Sequence, residues 1–388
     1  MPDDTVLGID FGTTNSYYSI CSLESLSPRG IDLGTGRDGL ATAILYRKGK
    51  RSLIGDQALH EYGEATEAER KEYQYKLHTQ FKPELGRSEE ARRITQDFLR
   101  VVLEECRTRH LHIDPKQYRV IFGIPSEAEK DYREALSETA RRADYGTINM
   151  LEEPIGALVD HIFHEDISVR DAQKGILLID FGGGTCDFAF LLRGRVLHSW
   201  GDMNLGGRLF DDLFFQWFLD QNPNALPQMQ KNGDEFYVHF YVCRQIKEDF
   251  SNAMARDRNE PVRCKMVVTH QGSYGFLKNM TWDEFLHRAK HYSPSETFRR
   301  YLVELGVKDS PFYQSHGPVD LLAWFRDCLK EGLQKHNRNK SDIEVVILAG
   351  GSSLWPFVPE IVKEVLGIEE RGIMRALRPY VAIGEGIA

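Results

Sequence analysis

Cysteine, long apolar runs and excess positive charge are all scarce in this chain of 388 residues. The six cysteines form no C-x-x-C pair, which argues against a zinc site of the common cysteine type. No basic region followed by an apolar stretch comes after Met1, and no run of about 18 apolar residues occurs, so neither a secretory leader nor a membrane span is predicted. The formal net charge of -9 disfavours sequence-independent nucleic-acid binding, which needs a basic surface. We therefore expect a cytoplasmic protein with reduced thiols and with neither nucleic acid nor membrane as a partner.

Two widespread nucleotide-binding motifs are also missing. There is no G-x-x-x-x-G-K-[ST] loop and no protein-kinase catalytic loop. Residues 34–39 match G-x-G-x-x-G, but a turn at 27–30 precedes them and a β-like stretch at 41–46 follows. A dinucleotide-binding loop needs a strand before it and a helix after it, so we interpret this match as a connecting loop.

Three segments share one pattern, a short apolar run that ends in a glycine turn: 6–14, 176–185 and 345–353. Apolar, β-branched runs bounded by glycine are typical of buried strands. The first two share Asp-Phe-Gly after the run, which indicates an internal duplication. Apolar residues at helical spacing, a capping box and a first-turn proline predict helices at about 126–143, 154–162, 209–218 and 321–329, and 222–227 is expected to be a surface loop. Alternating strands and helices predict an α/β fold with two similar lobes around a cleft.

The two acid-glycine turns have the chemistry of a phosphate-binding site. Glycine lets backbone amides approach an anion closely, and successive amides form an anion-binding nest. The turns consist of Gly12, Thr13, Thr14 and Asn15 after the first strand, and of Gly182, Gly183, Gly184 and Thr185 after the second. Asp10 and Asp180 stand at the strand ends, where carboxylate oxygens suit a hydrated Mg²⁺. One such turn is often no more than a turn, but two matched turns favour nucleotide binding.

Residues 10–16 and 179–187 resemble the first and second phosphate motifs of the seventy-kilodalton heat-shock (DnaK-type) chaperones. Further matches follow in that family's order at 54–58, 152–154, 204–211, 348–352 and 381–386. The resemblance spans essentially the whole chain. It implies an actin-like ATPase fold, in which two duplicated lobes, each with a mixed sheet flanked by helices, enclose a nucleotide cleft. Lobe I would be 1–179 with an insertion at about 40–112, and lobe II 180–388 with an insertion at about 222–300; the family's C-terminal substrate-binding domain would be absent.

The resemblance also implies a role for individual residues. The catalytic set would be Asp10, Lys82, Glu153, Asp180, Thr185 and Asp187. Of these, Asp10, Glu153 and Asp180 would hold Mg²⁺ through its waters, and Asp187 would order the attacking water or a K⁺ ion. The nucleotide would contact Gly12, Thr13, Thr14, Asn15, Gly182, Gly183, Gly184, Gly206, Gly207, Lys247, Ser251, Gly350, Gly351 and Ser352. Lys82 would offset charge on the γ-phosphate, with Lys76 as the alternative lysine.

The sequence departs from the family pattern where adenine would bind. The family's helix there usually carries an acid, a lysine, an arginine and a serine, whereas this chain has Arg244, Lys247, Glu248 and Ser251. Leu354 stands where another arginine is usual. Arginine stacks on aromatic planes and leucine does not do so equivalently, so the specificity for adenine is in question while the phosphate-binding residues are intact.

The function implied by the resemblance is an ATP-binding and slowly ATP-hydrolysing nucleotide switch whose lobe movement is read by a partner or by a missing C-terminal domain. Its cofactors would be ATP or ADP, Mg²⁺ and K⁺. Its partners would be a J-domain-type co-chaperone, a nucleotide-exchange factor and an unfolded client protein. The alternatives are an actin-like filament protein, a sugar kinase of the same superfold and a nucleotide-binding scaffold with negligible turnover, and likeness of fold alone does not decide among them.

Overall fold

A computed structural model describes residues 4–22, 24, 26–33, 39–111, 113–126, 128–304 and 317–388. Most of the G-x-G-x-x-G match, residues 34–38, lies outside this description. The strands are β1 Thr5–Phe11, β2 Asn15–Ser22, β3 Arg29–Gly30, β4 Leu40–Ala41, β5 Ala43–Tyr46, β6 Leu53–Ile54, β7 Lys76–Thr79, β8 Arg119–Ile124, β9 Ile148–Glu152, β10 Ile176–Phe181, β11 Cys186–Leu192, β12 Arg195–Asp202, β13 Val262–Thr269, β14 Gly272–Met280, β15 Val345–Ala349 and β16 Ile373–Arg375.

The described α-helices connect these strands and flank the sheets. They are α1 Gly55–Glu64, α2 Glu67–Glu72, α3 Glu89–Thr108, α4 Lys130–Arg142, α5 Glu153–Phe163, α6 Gly207–Gln221, α7 Ala225–Asn232, α8 Glu235–Tyr237, α9 Cys243–Arg256, α10 Trp282–Lys290, α11 Glu296–Glu304, α12 Leu321–Lys335, α13 Phe357–Leu366 and α14 Ala382–Ile387. A π-helical turn, Val238–Val242, joins α8 to α9. In the part of the chain described, no helix combines the length and the apolar character that crossing a membrane would need.

Two central sheets have the same strand order and the same strand directions. The first runs β3-β2-β1-β8-β9, with β4 also paired to β2, and the second runs β12-β11-β10-β15-β16. The central strand β1 forms an antiparallel hairpin with β2 and a parallel pair with β8, and β10 pairs in the same way with β11 and β15. The duplication that the recurring Asp-Phe-Gly indicates is therefore also present in the topology. Two smaller sheets, β6-β5-β7 and β13-β14, lie outside this repeat.

Strand alternation divides the apolar residues among separate cores. Along β10, Leu177 and Ile179 face a core shared with helices α6, α9, α10, α12 and α13, while Ile176 and Leu178 face the opposite side. The first sheet packs one face against α3 and α4. A third core contains residues of α5 and α14 together with the second sheet, and partly buried residues of the first sheet pack against it. Helices α5 and α14 thus lie between the two central sheets.

Three of the four predicted helices are confirmed as α5, α6 and α12, and α4 differs at its start. The capping box predicted a start at Ser126, but α4 begins at Lys130 after the N-cap residue Glu129. Before this helix, the amide of Ala128 donates to the carbonyl oxygen of Pro125. The predicted loop at 222–227 is also wrong in its second half, because α7 begins at Ala225, which is buried in the core.

Candidate functional site

A cleft of about 1160 Å³ collects most of the residues that the sequence singles out. It is larger than a typical small-molecule pocket, which encloses roughly 300–1,000 Å³. The predicted site residues that line it are Asp10, Gly12, Thr13, Thr14, Asn15, Lys82, Glu153, Asp180, Gly182, Gly183, Gly184, Thr185, Asp187, Lys247, Ser251, Gly350, Gly351 and Ser352. Glycine turns that are far apart in sequence therefore meet at one cavity.

The two acids at the strand ends occupy equivalent positions in the two sheets. Asp10 is the penultimate residue of β1, and Asp180 is the penultimate residue of β10. Each lies in the register of its hairpin, Asp10 opposite Tyr17 and Asp180 opposite Asp187. Each hairpin turn comes directly after the strand that carries its acid. The two turns therefore line the same cavity as Asp10 and Asp180.

The hairpin turns approach each other closely because they contain glycine. A methyl group added at Gly183 would lie 3.0 Å from the Cγ2 of Thr14, and one added at Gly184 would lie 3.3 Å from its hydroxyl oxygen. At Gly12 the added carbon would lie 2.2 Å from the backbone oxygen of Asn15, a contact that no side chain could tolerate. The Thr14 hydroxyl is buried and has no hydrogen-bond partner among the described residues. The two turns thus form one narrow, polar surface suited to phosphate oxygens.

Lys82 is the cation at this end of the cleft. Its Nζ lies 2.9 Å from Oε1 of Glu153, and both side chains are largely buried. Burial by itself would lower the pKa of Lys82, but Glu153 and then Tyr132 and Asp10 outweigh burial, so the pKa is raised and the ammonium persists. Lys76, the alternative phosphate lysine, is exposed on β7 opposite Tyr46 and does not line the cleft.

The carboxylates of the cleft are held in an unfavourable environment. Burial, followed by repulsion from Glu153, raises the pKa of Asp10 to about 7 despite the opposing effect of Lys82. Burial also raises the pKa of Asp180 well above its usual value, with added repulsion from Asp187, Glu153 and Asp10. The ammonium of Lys82 therefore faces several carboxylates and does not balance their negative charge. Carboxylate oxygens are the ligands that Mg²⁺ prefers.

Thr185 and Asp187 contact each other in the second hairpin. The hydroxyl of Thr185 donates to Oδ2 of Asp187 at 2.8 Å. Both side chains line the cleft, and the carboxylate of Asp187 remains open to it. This hydrogen bond fixes the hydroxyl oxygen of Thr185 beside the glycine turn.

Two predicted nucleotide contacts, Gly206 and Gly207, do not line the cleft. The amide of Gly207 donates to the carbonyl oxygen of Gly182 at 3.1 Å, and an added methyl at Gly206 would lie 2.4 Å from the backbone of Gly184. They pack behind the phosphate turn because only glycine permits this backbone approach. Ser352 supports the same turn, since its hydroxyl donates to the carbonyl oxygen of Gly182 at 2.8 Å.

Two departures from the family pattern, Arg244 and Glu248, lie on α9 in one wall of the cleft. The positions of Arg244 and Glu248 carry reversed charges but still form an ion pair, with Nε to Oε1 at 2.9 Å. Lys247 pairs with Asp211 at 2.7 Å. The rings of Tyr17 and Tyr380, which also line the cleft, have centroids 6.1 Å apart. This wall therefore offers aromatic rings and paired charges.

Sequence reasoning missed several hydroxyl groups of the cleft. Tyr132 of α4, Ser126 before that helix and Thr79 of β7 all line the cavity. Their hydroxyl oxygens are buried without a hydrogen-bond partner among the described residues. Tyr132 raises the pKa of Lys82, which places its hydroxyl near the ammonium. No motif marks Tyr132 or Thr79, and the capping box at Ser126 predicts a helix start instead of a cleft residue, because all three positions depend on where α4 and β7 pack.

Comparison with curated proteins finds relatives that are named chaperone protein DnaK. The DnaK of Mycoplasma mycoides is 23% identical over 401 residues, which cover all of this chain and 59% of the relative. The DnaK of Thermosipho melanesiensis is 22% identical over 99% of this chain and 58% of its own length. That of Guillardia theta is 23% identical over 93% of this chain and 56% of its own. No protein-family model matches the chain.

The predicted resemblance to DnaK-type chaperones is thus confirmed over the whole chain. The chain spans less than three fifths of the length of the curated relatives it matches. The mixed α/β architecture agrees with the predicted fold class.

Proposed function

We propose that this chain is a nucleotide switch of the DnaK type, which binds ATP or ADP with Mg²⁺ in the cleft and hydrolyses ATP slowly. The central observation is that the two equivalent acid-glycine turns, from β1–β2 and β10–β11, line one cavity. The shared topology of the two sheets further supports an actin-like arrangement of two lobes, with helices α5 and α14 between them.

The residues of the cleft fit a hydrated Mg²⁺ ion. Burial raises the pKa of the carboxylates Asp10 and Asp180, and the charge of Lys82 acts in the opposite direction on both. Within the described residues, Asp10, Glu153 and Asp180 do not form a group with ligand oxygens all within 4.8 Å of one another. Mg²⁺ keeps several waters, so separated acids that hold it through those waters suit it better than a tight protein cage would. When bound, the ion would neutralise charge on the phosphate oxygens.

The protein groups around the phosphates would supply positioning and charge. Phosphoryl transfer needs little covalent chemistry from a protein, so fixed charges and hydrogen-bond donors account for most of the catalysis. The ammonium of Lys82 would face the terminal phosphate, oriented by its ion pair with Glu153. Glu153 is the first residue of α5 and precedes Pro154, whose restricted backbone angle helps to fix the start of this helix. Asp187, bonded to Thr185, would orient the attacking water.

Base recognition is proposed to be weaker than in a chaperone with arginines at the matching positions. Glu248 is joined to Arg244, and Leu354 lines the cleft in place of an arginine. An adenine ring would meet the paired charges and the tyrosine rings of this wall instead of a guanidinium plane. Stacking on arginine would therefore contribute little to the preference for adenine.

The wider chaperone role rests on the resemblance. A client protein, a J-domain-type co-chaperone and a nucleotide-exchange factor are the partners it implies, with K⁺ as a second ion. Cleft opening and closing would be the signal that a partner or a further domain reads. We keep cytoplasmic localisation as part of the same proposal.

Calorimetric titration with ADP, ATP and GTP, each with and without Mg²⁺, tests this function. We expect the affinity for ADP to depend on Mg²⁺ and to fall in Asp180→Asn, since that change removes a charge from the cleft. Asp220→Asn is the matched control, because its carboxylate is 61% exposed and lies on α6. No heat of binding at millimolar nucleotide with Mg²⁺ would overturn the proposal. A preference for ATP over GTP on the order of a thousandfold, about 4 kcal/mol, would contradict its statement on base recognition.

A further inference from the structure

Outside the cleft, α5 and α14 bring together three potential metal ligands. Asp160 lies on α5, His164 is the C-cap residue directly after this helix, and Glu385 lies on α14. One ligand atom from each lies within 4.8 Å of the other two. We propose that these three residues bind a divalent transition-metal ion of the Zn²⁺ class, which joins the two helices.

The carboxylate of Asp160 supplies an independent reason to expect a cation. The residue is 2% exposed, and its Oδ1 accepts no hydrogen bond from the described residues. Nδ1 of His164 lies 3.3 Å from this oxygen, but it is in hydrogen-bond geometry with the backbone carbonyl oxygen of Asp160 at 3.0 Å. A buried carboxylate oxygen that accepts no hydrogen bond is costly, and a coordinated cation would remove that cost.

Glu385 can act as a ligand while keeping its existing partner. Nη2 of Arg378 donates to Oε1 of Glu385 at 2.7 Å, and a carboxylate has a second oxygen. Ligating carboxylates usually hold such an outer hydrogen bond, which orients them. Two carboxylates and one guanidinium leave a net negative charge, so a cation complements the cluster.

The ligand types select the class of metal. An imidazole nitrogen combined with two carboxylates suits Zn²⁺ better than Mg²⁺, which prefers oxygen alone. His164 caps the end of α5 four residues after Asp160, so the two side chains lie on the same side of the helix end. The side chain of His164 is 47% exposed, which gives the ion a path from solvent and leaves a fourth position for water.

The position of the cluster gives the ion a mechanical effect. Asp160 follows Glu153 by about two helical turns on α5, and Glu153 lines the cleft. On α14, a methyl added at Gly384 would lie 3.7 Å from Cβ of Asp10. An ion that ties α5 to α14 would therefore restrict the two elements that hold or contact these cleft acids. This proposal does not depend on the nucleotide being ATP.

Equilibrium dialysis of the nucleotide-free chain against ZnCl₂, in a buffer that contains Mg²⁺, tests the site. We expect one equivalent of Zn²⁺ to bind at micromolar concentration and to raise the melting temperature. His164→Ala should weaken Zn²⁺ binding at least about tenfold and abolish the rise in melting temperature. Loss of a residue that only hydrogen-bonds to a metal ligand typically lowers metal affinity by about 10–100-fold, and loss of a ligand itself should lower it by no less. Glu385→Gln should act in the same direction.

The matched control is His60→Ala. His60 forms the same kind of pair with a carboxylate four residues later, Glu64 at 2.9 Å, and its side chain is 48% exposed. It belongs to no group of three such ligands among the described residues. If wild type binds no Zn²⁺, or if His60→Ala weakens binding as much as His164→Ala, the proposed site is wrong. Because His164 is half exposed, its variant remains informative even if Glu385→Gln does not fold.

Discussion

At the scale of single residues, the part of the cleft beside the two acid-glycine turns combines the buried ammonium of Lys82 with several carboxylates. Lys82 and Glu153 form an ion pair, and Asp10 and Asp180 lie in the same electrostatic field. Such an arrangement costs folding stability, because charged groups lose hydration when they are buried. A site that is arranged for a ligand can retain that cost, because the ligand supplies the missing compensation.

We predict that Lys82→Ala reduces single-turnover ATP hydrolysis by about 10²–10³-fold while ADP binding stays nearly unchanged. The ammonium would act on the terminal phosphate, and loss of one preorganised electrostatic contact typically costs that factor. Rapid-quench measurement of phosphate release checks the rate, and calorimetry checks ADP affinity. Lys76→Ala is the control, since Lys76 is exposed outside the cleft. If Lys76→Ala is slow and Lys82→Ala is normal, the motif assignment is wrong. If wild type itself shows no turnover, a nucleotide-binding scaffold describes the chain better.

We predict that Asp10→Asn stabilises the nucleotide-free protein in alkaline solution. The pKa of Asp10 is about 7 in the folded protein and lies above the ordinary value of 3.8. The folded state therefore holds this proton more tightly than the unfolded chain does, and the free energy of unfolding falls as the pH rises from about 4 to 7. At about 1.4 kcal/mol per pKa unit, the gain from a neutral amide at pH 8 has an upper limit of roughly 4 kcal/mol. Urea unfolding at pH 5 and pH 8 measures it. The advantage should narrow at pH 5, and Asp220→Asn should show no such trend; equal effects at both pH values would refute the assignment.

At the scale of elements, α5 and α14 cross at very short range. A methyl added at Gly386 would lie 1.8 Å from the backbone oxygen of Gly156, and one added at Gly156 would lie 2.9 Å from the backbone oxygen of Ile383. Backbone atoms cannot rotate away as a flexible side chain can. The two glycines therefore set the distance between helices that lie between the central sheets.

We predict that Gly386→Ala destabilises the fold by about 1–3 kcal/mol or more, the usual cost of overpacking a filled interior. The intrinsic helix preference of alanine would by itself stabilise α14, so a net loss must come from the crossing. Denaturant unfolding measures the difference. Gly351→Ala is the control, because an added methyl there meets nothing within 4 Å. An unchanged or raised midpoint for Gly386→Ala would show that the helices separate at little cost.

At the scale of the whole molecule, contacts close the cleft between elements that are remote in sequence. Nη2 of Arg70, at the end of α2, donates to the carbonyl oxygen of Gly233 at 2.7 Å, and its guanidinium lies over the ring of Tyr62 at 4.5 Å. Tyr62 of α1 in turn packs edge-on against Phe236 of α8, with centroids 5.4 Å apart. Phe236 also lines the cleft, so these contacts form part of its boundary.

We predict that Arg70→Ala accelerates ADP release by about tenfold or more with little effect on the folded state. A hydrogen bond to a charged group contributes about 1.5–3 kcal/mol, and about 1.4 kcal/mol corresponds to a factor of ten. Stopped-flow displacement of a fluorescent ADP analogue measures the rate. Arg51→Ala is the control, because Arg51 pairs with Glu104 and Glu105 of α3, the helix that packs against the first sheet. An unchanged release rate in Arg70→Ala would mean that these contacts do not limit opening.

The sequence by itself determined the parts whose signal is local. Apolar runs that end in Asp-Phe-Gly predict β1 and β10 and their glycine turns, because burial and turn formation depend on neighbouring residues. Periodicity likewise predicts α5, α6 and α12. The motif order indicates the DnaK-type resemblance and favours Lys82 over Lys76 as the phosphate lysine. Of these two lysines, Lys82 is the one that lines the cleft.

Only the tertiary structure decided features that depend on contacts between distant segments. The hydroxyl of Tyr132 reaches the cleft because α4 packs beside the 3₁₀ turn that carries Lys82, and no periodicity encodes that approach. Gly206 and Gly207 lie behind the phosphate turn and not in the cleft. A glycine in the sequence indicates that the backbone is closely approached, but it does not indicate which group approaches it. The cluster of Asp160, His164 and Glu385 joins residues more than two hundred positions apart. Short-range patterns specify elements, whereas the packing of those elements selects which side chains meet.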